Sequence, residues 1–278
     1  MPKIKKTAKN KADEVHYETQ PVVVTKQNNV PLYVFMGALI LLVGFMFYKM
    51  MSLEKQLKTA VAGNQPPEPV KLTKDMIKPL FKSGFLRFGD DKRKVLFVEA
   101  SDPSCPYCHI AGGRNPEIGK DDPRFLYVSE GGEYVPPVPE MKKLVDEGKA
   151  SYVMLYAPGH GNGELATQAL YCAYDKNKFW EVDDKLMSNA GYELINNVVK
   201  NDVESLPKLT EFLADVIDPK YLEECISSKK YADKLNRDYQ LAQSLGYQGT
   251  PYFIVNTTPF PGAYSFKDMK SVVDEALK

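Results

Sequence analysis

The strongest constraint on this chain is a run of 19 residues without a charge, Val30 to Tyr48. As an α-helix such a run covers the ~30 Å hydrocarbon core of a bilayer, where only a helix or a closed barrel satisfies its own backbone. The reading is one transmembrane helix over 30–51. Ala60-Val61-Ala62 has the small-x-small form of a cleavage site, but the charged stretch from Lys49 to Lys58 separates it from the apolar run, and 29 preceding residues are long for a signal peptide. An uncleaved anchor is therefore expected. Charge alone does not orient it: of the six lysines ahead of the span only Lys11 and Lys26 lie near it, against Lys49, Lys55 and Lys58 just after.

Residues 1–29 are polar and Lys-rich without apolar periodicity, which predicts a short disordered tail, its cytoplasmic side following only from the cysteines below. Beyond the span, Leu53, Leu57, Ala60 and Val61 keep a helical spacing that extends the membrane helix by about three turns. The Pro-rich segment Gly63-Asn64-Gln65-Pro66-Pro67-Glu68-Pro69 then stops it, within a linker assigned to 52–72. Residues 73–278 remain for one globular domain. Lys and Arg total 36, as do Asp and Glu, so no net positive field exists to hold nucleic acid, and none is expected as a partner.

Within the domain, Lys94–Ala100 is apolar on both faces and reads as a central, doubly covered strand. Ser151–Ala157 and Tyr252–Asn256, rich in aromatic and β-branched residues, read as two more. Between these last two lies a helical block of about 160–248, with helices near Gly163–Tyr174, Asn177–Ser188, Leu206–Val216 and Pro219–Leu245, the last broken near Ser227-Ser228. Ser265–Leu277 reads as an amphipathic helix opened by a serine cap. Strands interrupted by a helical block predict an α/β sheet domain with an inserted helical subdomain.

The chemistry concentrates in Cys105-Pro106-Tyr107-Cys108, just beyond a buried strand and at a helix start, with Ser104 as the expected cap. A thiol at a helix N-terminus meets the positive end of the dipole and unpaired amide donors, both of which favour thiolate. Cys105 is the expected nucleophile and Cys108 the resolving thiol, two residues being enough separation to close a small disulfide ring. Glu99, inside the buried strand, is expected to lie near the pair with a raised pKa suited to proton transfer with Cys108. Gly249-Thr250-Pro251 precedes the last apolar strand. His109 is read either as an electrostatic aid to the thiolate or as a solvent-facing residue of the first helical turn, and His160 as a loop residue. Trp180 is expected in the core of the helical subdomain, while Tyr107 and Tyr252 flank the expected groove.

The segments VLFVEASDPSCPYC, ALYCAYDKNKFWEVDDKLM and YLEECISSKKYADKLNRDYQLAQSLGYQGTPYFIVN resemble the thioredoxin-fold oxidoreductases of the DsbA type, over about residues 73–278. The resemblance implies a thioredoxin fold with a helical insertion, Cys105 and Cys108 as the redox pair, Glu99 as the buried acid, and Pro251 as a cis-proline beside it. It also implies that Thr250, with Pro106 and Tyr107, meets an extended protein substrate. It further suggests a structural disulfide between Cys172 and Cys225, against the alternative of two buried free thiols. The chain departs from the family after Cys108, where Ala111-Gly112-Gly113 shortens or kinks the helix and an unusual loop, 111–134, borders the site.

Other readings compete. Cys105 to His109 also matches the C-x-x-C-H pattern of c-type haem attachment, a single C-x-x-C could be half of a zinc site, and the cysteines could be a mere staple. The favoured expectation is a single-pass thiol–disulfide oxidoreductase with the domain extracytoplasmic. It acts on protein or peptide thiols and disulfides, is reset by an unidentified redox partner, and needs no metal and no cofactor. Disulfide formation or exchange is favoured by the resemblance, and reduction is the runner-up.

Overall fold

The computed structural model describes residues 30–62, 70–82 and 84–278. The expected tail over 1–29 and the Pro-rich part of the linker lie outside the described residues. The chain divides into two units, Met1–Pro67 and Glu68–Lys278.

In the first unit, helix α1 runs unbroken from Val30–Ala62. Its stretch Val34–Glu54 is 21 residues long, apolar enough to cross a membrane, with none of that stretch buried. At 1.5 Å per residue it spans about 31 Å, the thickness of a hydrocarbon core. Leu-, Phe- and Met-rich sequence, charged only at Lys49 and Glu54 near its end and with no buried face, is what a helix solvated by lipid requires. The continuation beyond Tyr48 is helical as the spacing predicts, so the first part of the expected 52–72 linker is helix up to Ala62.

The second unit is built on a five-stranded sheet of order β1-β3-β2-β4-β5. Its strands are β1 (Leu86–Phe88), β2 (Val95–Ser101), β3 (Ala150–Tyr156), β4 (Tyr252–Val255) and β5 (Thr258–Pro261). β2 and β3 are parallel, and the other pairings are antiparallel. All seven residues of β2 and of β3 are buried, because helices cover both faces. Val95 and Phe97 join Tyr152, Met154, Phe253 and Val255 in one core. Leu96, Val98 and Ala100 join Val153, Leu155, Ile254, Ile77, Leu80, Phe81 and Leu245 in the other. The two-residue period of a strand puts Glu99 on the first of these faces. β1 and β5, too short or too proline-rich to give a strand pattern, are the elements the sequence does not announce. Gly262 donates its N–H inward to Pro251 O at 2.8 Å, so alternation turns the N–H positions of Pro259 and Pro261 to the outer edge of β5.

Around the sheet lie α2 (Pro106–Gly112), α3 (Pro137–Asp146) and the terminal α9 (Phe266–Leu277), which opens with a capping box between Ser265 and Asp268. The helical insertion consists of α4 (Glu164–Tyr174), α5 (Phe179–Leu186), α6 (Leu206–Phe212), α7 (Pro219–Ser227) and α8 (Ala232–Ser244). A π-helical turn, Leu194–Val199, precedes α6. The break near Ser227-Ser228 falls between α7 and α8. Trp180 is half-buried rather than central: its ring lies 4.7 Å from Phe88 and 5.4 Å from Tyr152, fastening the insertion to the sheet.

The short helix expected after Cys108 is observed. α2 ends at Gly113 in the left-handed region (φ 71), where a Cβ would stand 2.7 Å from Pro136. The following stretch is ordered by its own small core of Ile110, Tyr127 and Tyr134. The Tyr127 hydroxyl donates into the carbonyls of Ile110 (3.1 Å), His109 and Asn115 (both 3.3 Å).

Candidate active site

Cys105 is the N-cap of α2, with extended backbone (φ −85, ψ 123), and Pro106 occupies the first helical position, where its missing N–H costs nothing. Ser104 is therefore not the cap. It is buried, and its N–H and hydroxyl both donate to Asp102 Oδ1, at 2.8 and 2.7 Å. Cys105 and Cys108 are free thiols packed against Met187. The Cys105 thiol donates to Thr250 O at 3.4 Å, and the Thr250–Pro251 peptide bond is cis.

The two thiols are electrostatically unlike. A hydrogen bond from Cys108 holds Cys105 down to about 6, against the opposing effect of burial and with help from the Tyr107 and Cys108 N–H groups. Burial pushes Cys108 well above the ordinary thiol range, and its bond to Cys105 and the nearby Glu99 add to this. Glu99 is fully enclosed; burial raises its pKa, and hydrogen bonds from Tyr152 and Ser101 oppose the rise. The Tyr152 hydroxyl donates to Glu99 Oε2 from the diagonal position on the neighbouring strand. A second buried carboxyl, Asp183 on α5, is pushed up by its own burial and by Glu99.

Two residues stand elsewhere than expected. His109 is fully buried, its two ring nitrogens against Met187 O (2.9 Å) and Pro103 O (2.8 Å), because the short α2 packs its first turn under the insertion. Burial lowers its pKa. Tyr252 does not flank a groove: it points into the second core and donates to Leu245 O at 3.0 Å. His160 is exposed in its loop, and what it gives the site is its backbone N–H. Tyr107 is 46% exposed beside the cysteines, edge-on to Phe125 at 5.7 Å. Cys172 on α4 and Cys225 on α7, 53 positions apart, form a disulfide with Cα atoms 6.2 Å apart.

Sequence reasoning missed Asp102, Tyr152, Asp183 and Asn196. An acid three residues before the first cysteine, at the end of a buried strand, was the available signal for Asp102. Among the described residues, no three His, Cys, Asp or Glu side chains converge to hold a metal ion.

The sheet order, the helical insertion between β3 and β4, and a cysteine pair beside a cis-proline define a thioredoxin-fold thiol–disulfide oxidoreductase. The thioredoxin family model matches residues 139–275, a stretch that holds Pro251 and begins beyond Cys108. Disulfide bond formation protein D of Bacillus subtilis is 25% identical over 195 residues, 68% of this chain and 76% of the relative. A probable disulfide bond formation protein D of Bacillus cereus is 28% identical over 206 residues, 68% and 77% of the two chains. Among solved structures, alpha-DsbA1 of Wolbachia pipientis shares the fold with a TM-score of 0.54 at 19% identity, over 73% of this chain and 95% of that one. Oxidised BdbD of Bacillus subtilis does so at 0.52 and 18%, over 74% and 96%. The chain is thus similar to disulfide bond formation proteins and shares the fold of DsbA-type structures, and its N-terminal helix is long and apolar enough to cross a membrane.

Proposed function

We propose that Cys105 and Cys108 exchange electrons with protein thiols outside the cytoplasm, in the direction of disulfide formation. The observation that carries this reading is the contrast between the thiols. Cys105 sits at a helix N-terminus, lowered to about 6 beside Thr250, and Cys108 is buried and raised.

In the forward cycle a substrate thiolate attacks Cys105 Sγ of the Cys105–Cys108 disulfide. The S–S bond breaks, and Cys108 leaves with the electron pair and takes a proton from Glu99. A second substrate thiolate then attacks the substrate sulfur of the mixed disulfide, forming the substrate disulfide and releasing Cys105 as a thiolate. Two electrons pass to the enzyme and Cys108 ends protonated; of the two protons released by the substrate thiols, one restores Glu99 and the other reaches solvent. A stabilised Cys105 thiolate is a good leaving group and makes the reduced state favourable, which is the property of an oxidant. An outside redox partner takes the two electrons back. Thr250 offers backbone for an extended substrate, and Pro106, Tyr107 and Pro251 border the sulfur.

For the compartment, the support is the anchor-like α1 and the Cys172–Cys225 bridge, a bond that persists where the surroundings are oxidising. On this reading the N-terminus is cytoplasmic and the domain lies outside. Cys105→Ser should abolish exchange, and Cys108→Ser, offered a disulfide-bonded peptide, should accumulate a mixed disulfide through Cys105 that no second cysteine resolves. Equilibration with glutathione should give a potential near ~−120 mV; a value near ~−270 mV would reassign the pair to reduction. A membrane-impermeant maleimide applied to intact cells should reach the domain, and protection of every cysteine there until lysis would reverse the topology.

A further inference from the structure

Cys105 is only 2% exposed, which a nucleophile for proteins cannot remain. Besides Cys108 and Met187, what lies against it is the loop 158–163. A Cβ on Gly159 would stand 2.2 Å from Thr250 Oγ1 and 3.1 Å from Cys105 Cβ, so this backbone lies directly on the nucleophile and on the residue beside it. Thr250 Oγ1 is buried there without a partner. The loop is fastened by Asp102, itself fully buried at the end of β2. Asp102 Oδ2 accepts the N–H groups of Gly159 (2.6 Å) and His160 (3.1 Å), while Oδ1 holds Ser104, the residue before Cys105. One carboxylate thus ties the redox turn to a segment 57 positions away. Gly163 passes so close that a Cβ would stand 1.8 Å from Asp102 Oδ1.

The far side of the loop is held by neutral bonds, the shortest donated by Asn201 Nδ2 to Gly161 O at 2.6 Å. The Asn162 N–H donates to Ser104 Oγ at 3.3 Å and its side chain to Asn196 Oδ1 at 3.2 Å; Asn196 in turn donates to Ser104 O at 3.2 Å. Asn196 lies in the π-helical turn, a form that recurs at functional sites. Gly161, with a left-handed φ of 82 and open space around it, gives the loop a point about which to bend.

We infer that Asp102 is a positioning residue that holds the loop 158–163 as a gate over Cys105, and that a client chain reaches the sulfur by displacing Gly159 and His160 from its carboxylate. The N–H groups so freed then face the carbonyls of the incoming chain, so an extended peptide replaces the bonds it breaks and a compact surface does not. This rests on the reading of Cys105 as the nucleophile, and the following test separates the two, because it reads access to the sulfur rather than turnover.

The reduced full-length protein is labelled with iodoacetamide and, separately, with a polymer-linked maleimide, and mass spectrometry locates the label on Cys105. The ratio of bulky to small rates cancels any change in thiol pKa. Asp102→Ala should raise that ratio about tenfold or more, the equivalent of ~1.4 kcal/mol. Gly159→Ala, which lifts the loop by collision with Thr250 and leaves the carboxylate intact, should do the same. In the unaltered protein, the Gly159 and His160 amides should exchange with deuterium at least about a hundredfold faster than those of β2, through local opening. An unchanged ratio in either folded variant, or protection of these two amides equal to that of β2, overturns the gate. Loss of exchange in Cys105→Ser is a separate result and bears on the nucleophile alone.

Discussion

The chain carries two cysteine pairs, and surroundings rather than chemistry separate them. Cys105 and Cys108 are three positions apart on one helix start, free, and pulled in opposite directions by a helix N-terminus and by burial beside Glu99. Cys172 and Cys225 are 53 apart on α4 and α7, closed, with Cys172 buried among the apolar residues of the insertion and no acid or helix start to activate it. A short ring gains little from closure and is easily opened, whereas a long ring constrains the unfolded chain and stays shut. The same bond serves as tool in one place and as brace in the other.

The sharpest way to break this contrast is to remove the brace. Replacing Cys172 and Cys225 with Ala should cost up to ~4 kcal/mol in the chain-entropy account, about a thousandfold in the folding equilibrium, seen as a lowered melting temperature. Turnover of the protein that remains folded should be unchanged, and a loss of turnover at fixed folded fraction would make the second pair part of the tool.

Next in size is Glu99→Gln. It removes the proton donor for Cys108 and should slow that step by about a hundredfold in stopped-flow measurements at neutral pH, with alkylation of Cys105 little affected. The same change should stabilise the fold. The Glu99 pKa is raised above its unfolded value, so the stability it permits is complete below the unfolded pKa and is lost as pH rises through the folded one. At neutral pH the glutamine avoids that loss.

A third test uses pH. The folded pKa of Cys105, about 6, lies below that of an unfolded thiol, ~8.5. The thiolate therefore stabilises the reduced protein at the alkaline end of this window, and the advantage fades as pH falls and is gone below about 6. The oxidised protein has no such thiol. The gap between reduced and oxidised melting temperatures should shrink between pH 8 and 6, and a flat gap would mean an unactivated Cys105. The smallest effect belongs to Tyr107→Ala, which should raise KM for a peptide substrate by no more than about threefold and leave stability unaltered, as expected of an exposed side chain.

Much of this was written in one-dimensional pattern. The doubly apolar β2 and β3, the breaks between helices, the serine cap of α9 and the cysteine pair after a strand are local signals, and they place the sheet and the redox turn. A strand apolar on both faces was enough to bury Glu99. What the pattern could not carry were contacts closed by the fold. Asp102 meets Gly159 and His160 only because β2 and β3 lie side by side, and His109, by spacing a first-turn surface residue, is roofed by Met187 from the insertion. Tyr252 alternates inward once its strand is placed, and Ser104 loses the cap position because the helix begins one residue later. The 113–136 stretch reads as loop because its order depends on the Tyr127 hydroxyl reaching back to carbonyls of α2.

The outer rim of β5 bears on how such a molecule survives its own trade. An unpaired strand ordinarily invites any stretched polypeptide to line up against it, and proteins still being folded are rich in such stretches. At Pro259 and Pro261 that rim has no amide hydrogen to offer. A half-folded chain is left without a ladder to climb there.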